Sequence, residues 1–134
     1  MWLEDTLYPN LDPFWKALIE PVKVLANAGN QTTNINSINA HMWIPSAREV
    51  GIYSGSPYNE EISDDANEKV FSIFTDAASR IKKTYNGTGA SGQIWWTRSA
   101  YAANSTNFAS VSGNGGSNFT IASNNLYVCA GFSA

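Results

Sequence analysis

The apolar positions Val70, Phe71, Ile73, Phe74, Ala77 and Ile81 recur at three- and four-residue steps, the spacing that gathers side chains on one face of an α-helix. An amphipathic helix from about residue 65 to 83 is therefore predicted. Acids precede it and Arg80, Lys82 and Lys83 close it, each sign at the end that the helix dipole favours. The acids Glu60, Glu61, Asp64, Asp65 and Glu68 read as capping charges, not as a cation site. An earlier helix is predicted from Asp12-Pro13, an N-cap followed by proline at the first helical position, with Phe14, Leu18 and Ile19 on one face and Pro21 past its end.

Between these helices, residues 21 to 25 read as a short extended piece, and the Asn/Thr/Ser-rich stretch from 27 to 39 as an exposed loop. His41 to Ile44 is apolar and closed by Pro45. Ser46-x-x-Glu49 has capping-box spacing, which predicts the start of a short helix.

Beyond Asn86-Gly87 the period shortens from helix to strand. Strands are predicted at 93–99, at 107–112 and 118–123 flanking the turn Gly113-Asn114-Gly115-Gly116, and at 126–132. Side chains alternate across a strand, so Ala109 and Val111 inward implies Phe108, Ser110 and Ser112 outward. By the same rule Trp96 and Arg98 share one face, and Trp95, Thr97 and Ser99 the other. The fold class expected is α+β: one domain over residues 1–134, with a mainly helical part at 1–83 and a strand-and-loop part at 84–134.

Charge changes the picture at residue 84. After Lys83 only Arg98 carries a formal charge, while Asn, Ser and Gly are abundant. The net charge of -3 offers no field for phosphates, so nucleic acid is not an expected partner. No run is long and apolar enough for membrane insertion, and no signal peptide opens the chain. With one histidine, one cysteine and no nucleophile, phosphate-loop or metal-ligand motif, no enzyme, catalytic residue, cofactor or metal is expected. His41 and Cys129 read as structural.

The order Trp43-Ile44-Pro45-Ser46-x-x-Glu49, Trp95-Trp96-Thr97-Arg98-Ser99, a Gly-rich hairpin and a closing stretch from Val128 to Phe132 resembles a C-type-lectin-like domain family of unassigned function from gut bacteria and their phages. That fold also includes the variable receptor-binding proteins of diversity-generating retroelements. The resemblance implies two main helices packed on a small antiparallel sheet, with Trp96, Arg98 and Phe132 structural and Arg98 a buried charge held by hydrogen bonds or by an acid of the helical part. It departs where Cys129-Ala130 replaces the family's Arg-Pro. The family's strand before the first helix also has no counterpart here, which leaves a fragment, a compact variant or an assembly supplying that strand as open readings.

Calcium needs six to eight oxygen ligands, and from Thr84 onward there is no Asp or Glu, so calcium-independent binding is expected. Aromatic rings among small amides and hydroxyls have the chemistry of a paratope. The expected ligand face is Thr97, Ser99, Tyr101, Asn104 and Asn107, continued by Phe108, Ser110, Asn114, Asn118 and Phe119. Its expected partner is a host or bacterial surface protein or glycan, met at a virion tail or bacterial cell surface, with a homotrimer implied by the resemblance. The alternative is a structural tail or decoration subunit that contacts only virion neighbours.

Overall fold

The computed structural model describes residues 2–30, 32, 34–52, 69–84, 91–101 and 104–133. The acids expected to cap the second helix, from Glu60 to Glu68, lie outside them. Among the described residues the fold is mostly β: six strands in two sheets, with short helices. The expectation of two main helices on a small sheet is thereby corrected.

The first helix, α1, spans Pro13–Leu18, and the Asp12 side chain accepts from the Phe14 N–H at 2.8 Å. Its predicted inward face is mostly solvent-facing: Ile19 is buried, but Phe14 and Leu18 are exposed. Among the described residues of the predicted helix, 69–83, only α2, Ala77–Arg80, is helical. One long-range bond and one local capping box explain this. The Phe71 N–H donates to the Glu49 carbonyl at 2.8 Å, which takes it out of any helical ladder. Asp76 then starts a fresh turn, accepting from the Ser79 N–H while Ser79 Oγ accepts from the Asp76 N–H. Phe74 alone of the apolar repeat from Val70 to Phe74 is buried, while Val70 and Ile73 stay exposed.

Strand β1, Val22–Asn27, pairs antiparallel with β2, Ile35–Ala40, in register from Val22↔Ala40 to Asn27↔Ile35. The polar stretch read as a loop is therefore half of a hairpin. Four of the six β2 residues face solvent, so no apolar alternation marks the strand. Asn27 closes the turn: its Oδ1 accepts from the Gly29 N–H at 2.7 Å and its Nδ2 donates to the Thr32 carbonyl at 2.8 Å.

The second sheet runs β5-β4-β3-β6, with β3 at Trp95–Ala100, β4 at Asn107–Val111, β5 at Ser117–Ile121 and β6 at Tyr127–Val128. The hairpin of β4 and β5 sits where the sequence predicts it. The closing strand is two residues long and runs parallel to β3, and past it Gly131 pairs with Trp43.

The main core gathers Trp95, Ala109 and Val111 from this sheet with Ala47, Val50, Ile52 and Phe74. Trp95 is fully buried, and its indole N–H donates to the Arg80 carbonyl at 3.1 Å. A smaller cluster joins Val24 and Ala40 of the first sheet to Trp43.

Candidate binding site

Ser46 and Glu49 form the reciprocal box that the sequence predicts: the Glu49 N–H donates to Ser46 Oγ at 3.0 Å, and the Ser46 N–H to Glu49 Oε2 at 2.9 Å. It closes a single turn, with the Val50 N–H on the Ser46 carbonyl. Glu49 also meets Arg98 of β3 through two bonds, Nη1 to Oε2 at 2.6 Å and Nη2 to Oε1 at 3.1 Å. Both side chains are nearly buried. Arg98 Nε donates to the Leu25 carbonyl of β1 at 2.5 Å, and Nη1 to the Ile44 carbonyl at 3.1 Å. One guanidinium thus joins the two sheets and the turn. The acid came from the amino-terminal part, at the position the motif marks.

Of the ten residues of the expected ligand face, three are interior. Thr97, Ser99 and Ser110 are buried. Thr97 Oγ1 donates to the Ala109 carbonyl at 2.7 Å, Ser99 Oγ accepts from the Ala47 N–H at 2.8 Å, and Ser110 shares a 2.9 Å hydroxyl bond with Thr120. Alternation is obeyed, but both faces of the sheet centre are covered, so outward from one face is still inward in the molecule. Tyr101, Asn107, Phe108, Asn118 and Phe119 are half-buried. Tyr101 stacks on Phe119 at 4.0 Å between centroids, and Phe108 meets Trp96 edge to face.

Asn104 and Asn114 are exposed, yet their amide oxygens close their own turns. Asn104 Oδ1 accepts from the Thr106 N–H at 2.8 Å, and Asn114 Oδ1 from Ser112 Oγ at 2.5 Å and the Gly116 N–H at 3.1 Å. The Gly-rich turn is also pressed against the chain. A Cβ on Gly115, which has φ +81°, would fall 1.8 Å from the Ala77 carbonyl, and one on Gly113 would fall 2.5 Å from the Gly92 carbonyl. That turn does not extend outward as an adaptable loop.

β3 keeps the predicted partition, with Trp95, Thr97 and Ser99 on one face and Trp96 and Arg98 on the other, but Trp95 is the fully buried ring, while Trp96, expected to be structural, lies half-buried on the opposite face. Phe132, also expected to be structural, is 48% exposed, although its neighbours Gly131 and Ser133 bridge to Trp43 and Glu20.

The arrangement that does present surface lies elsewhere. A cleft of about 510 Å³ is lined by Val22, Lys23 and Val24 of β1, by Trp43, Phe71 and Ile73, and by Gly131 to Ser133, with Glu49 in its wall. The lining is mostly apolar, the usual character of a binding cleft. Trp43 is buried, and its indole N–H, shielded from solvent, has no acceptor among the described residues. Phe132 also borders a second apolar hollow, of about 220 Å³, with Leu11, Trp15, Ile19 and Met42. No single sequence motif marks these residues, because they come from four separate stretches. The signal available was the excess of large apolar residues in a chain too short of covering elements to bury them.

Other chemistry is sparse. Burial pushes the Cys129 thiol up, against a smaller downward pull from the Lys82 ammonium, so thiolate is disfavoured. His41 is held through Nδ1 by Glu4 at 3.1 Å and stacks on Tyr8. Among the described residues no three His, Cys, Asp or Glu side chains stand close enough to hold a metal ion. Among the same residues no helix is long and apolar enough to cross a membrane.

Fold and clefts define a small, mostly β domain whose two sheets are bridged by the nearly buried Arg98. Within that class the chain belongs to the family DUF6273, a domain of unknown function, whose profile matches residues 1–129. No curated protein and no solved structure matches the chain.

Proposed function

We propose that the chain is a calcium-independent binding domain that recognises a protein of a bacterial or virion surface. The observation that carries this reading is the 510 Å³ apolar cleft, with the Trp43 ring in its wall and Phe132 exposed at its rim. Such a lining suits protein side chains better than a glycan, which demands many hydrogen-bonding groups. The surface setting is supported by the resemblance to domains of gut bacteria and their phages. An asparagine-rich ligand face draws no support from Asn104 and Asn114, whose amide oxygens already serve their own turns.

The purified domain, offered to intact cells and virions, tests the reading. Binding is expected to survive a calcium chelator and to fall about tenfold or more in Gly131→Leu, which fills the cleft beside the Trp43 ring; tenfold corresponds to roughly 1.4 kcal/mol. Asn114→Ala is expected to leave it within about twofold, a few tenths of a kcal/mol. Binding abolished by chelation, or indifferent to Gly131→Leu, would overturn the proposal.

A second reading, a structural subunit contacting neighbouring chains, is favoured by one observation. Phe14, Trp15 and Phe132 form an exposed chain of ring contacts, with Trp15 edge-on to both neighbours. Self-association that rises with concentration and disappears in Trp15→Ser, without any surface binding, selects this reading.

A further inference from the structure

The cleft runs along an open strand edge. The Ala28 N–H donates to the Asn34 carbonyl at 2.8 Å, and the constant register of β1 on β2 then turns the backbone groups of Val22, Val24 and Ala26 toward β2. Lys23 and Leu25 must point their N–H and C=O groups the other way. The Leu25 carbonyl verifies this, because it accepts from Arg98 Nε on that side. The Lys23 N–H and C=O and the Leu25 N–H have no backbone or side-chain partner among the described residues. Successive strand residues point to opposite sides, so Val22, Lys23 and Val24 can all line one cleft only where it abuts the strand's edge.

We propose that this edge takes up an extended peptide segment of a partner protein as a third strand beside β1, with one apolar side chain of the segment seated in the cleft. Backbone pairing supplies the recognition, and alternate side chains the selectivity. Charge selects the flanking residue. Glu49 is neutralised by Arg98, whereas the Lys23 ammonium at the rim has no ion pair among the described residues, so an Asp or Glu next to the seated residue is complementary. The proposal rests on the reading of the cleft as the partner site.

The probe is a linear peptide alternating Val and Thr around one Asp, capped at both ends and titrated while tryptophan fluorescence is followed. A dissociation constant below about 1 mM is expected. N-methylation at alternate amides is the decisive series: methyls on the amides that face β1 are expected to weaken binding about tenfold or more, and methyls on the intervening amides about twofold or less. Lys23→Pro removes an edge N–H that β2 does not use, and is expected to act like the edge-facing methyls. Lys23→Ala keeps the edge and loses only the advantage of the Asp. No binding at about 1 mM, or a flat N-methyl series, overturns strand addition, and the series needs no altered protein to fold. If Gly131→Leu blocks surface binding while the series is flat, the cleft remains the site and only the strand pairing fails. If the series alternates but surface binding ignores Gly131→Leu, the edge pairs peptides and the functional reading fails.

Discussion

The hairpin of β4 and β5 is rich in amides and hydroxyls yet offers few of them to a partner, whereas β1 has a single such side chain, Asn27, and leaves its edge and neighbouring rings open. Asn104 and Asn114 close turns, Ser110 and Thr120 satisfy each other, and Gly113 and Gly115 press against neighbouring backbone. Around β1, Phe14, Trp15 and Phe132 remain uncovered. Polar composition measures capacity to bond, not availability. A short polar side chain beside a turn finds its nearest backbone group first, while a large ring near a chain terminus depends on distant elements to cover it.

The two regions are joined through Arg98, so the strongest test of the comparison is to cut that joint. Arg98→Ala strands Glu49 in a nearly buried site and leaves the Leu25 and Ile44 carbonyls without their donor. Breaking a buried pair by removing one partner costs about 3–5 kcal/mol. Chemical denaturation should show a loss of that size. A loss below about 1 kcal/mol, the range of solvent-exposed pairs, would mean that the sheets stay together without it. The double variant Glu49→Gln with Arg98→Met, which removes the stranded charge, is expected to be more stable than Arg98→Ala.

The two faces of β3 give the next contrast. Trp95 is fully buried and its N–H is used, while Trp96 is half-buried against Phe108. Trp95→Ala is expected to cost about 3–5 kcal/mol as a large core cavity. Trp96→Ala should cost about 1 kcal/mol, an ordinary loss for a partly covered site. Equal losses would place both faces in comparable cores and remove the asymmetry on which the corrected reading of the strand depends.

What the sequence disclosed divides along the same line. Signals carried by neighbouring residues were legible: the Asp12-Pro13 helix start, the Ser46-x-x-Glu49 box, and the β4 and β5 hairpin around Gly115. Signals that depend on what covers a face were not. The repeat from Val70 to Ile81 satisfies helical spacing, yet the Phe71 N–H is claimed by Glu49, which lies far off in the chain. The β2 residues lack apolar alternation because that strand is solvent-facing, so its pairing was hidden. The candidate cleft was illegible for the same reason, being assembled from β1, Trp43, Phe71 and the chain's last described residues.

A smaller effect sharpens the claim that the hairpin satisfies itself. Thr120→Val keeps the volume of the side chain but leaves Ser110 Oγ buried without its 2.9 Å partner. An expected loss of about 1–3 kcal/mol follows from stranding one buried hydroxyl, with the lower end fitting Thr120 at the edge of the core. Surface binding should not change, whereas the cleft variant should lose it at unchanged stability. If Thr120→Val instead weakened binding at constant stability, the hairpin would be a contact surface after all.

The smallest expected effect concerns the far end of the open region, where Glu4 holds the chain just after β2. Its Oε1 accepts from the His41 N–H at 2.6 Å and the Met42 N–H at 2.7 Å, and its Oε2 lies 3.1 Å from His41 Nδ1. Burial pushes the carboxyl pKa up, but the bonds from Met42 and His41 outweigh it and hold the group below the usual glutamate range. The unfolded chain therefore takes up this proton more readily than the folded one. The stability that Glu4 contributes is complete above the ordinary glutamate range and is lost as pH falls through the lowered folded value. Because the site is partly screened by solvent, the amount should stay below about 1 kcal/mol. Glu4→Gln should flatten this part of the acid limb when urea midpoints at about pH 7 and about pH 3.5 are compared. In the parent chain, acid should first release the His41 and Met42 amides to hydrogen exchange while those of β3 to β5 stay protected. Release of both sets together would show that the two regions unfold as one unit, and that the open edge of β1 is no easier to disturb than the closed hairpin.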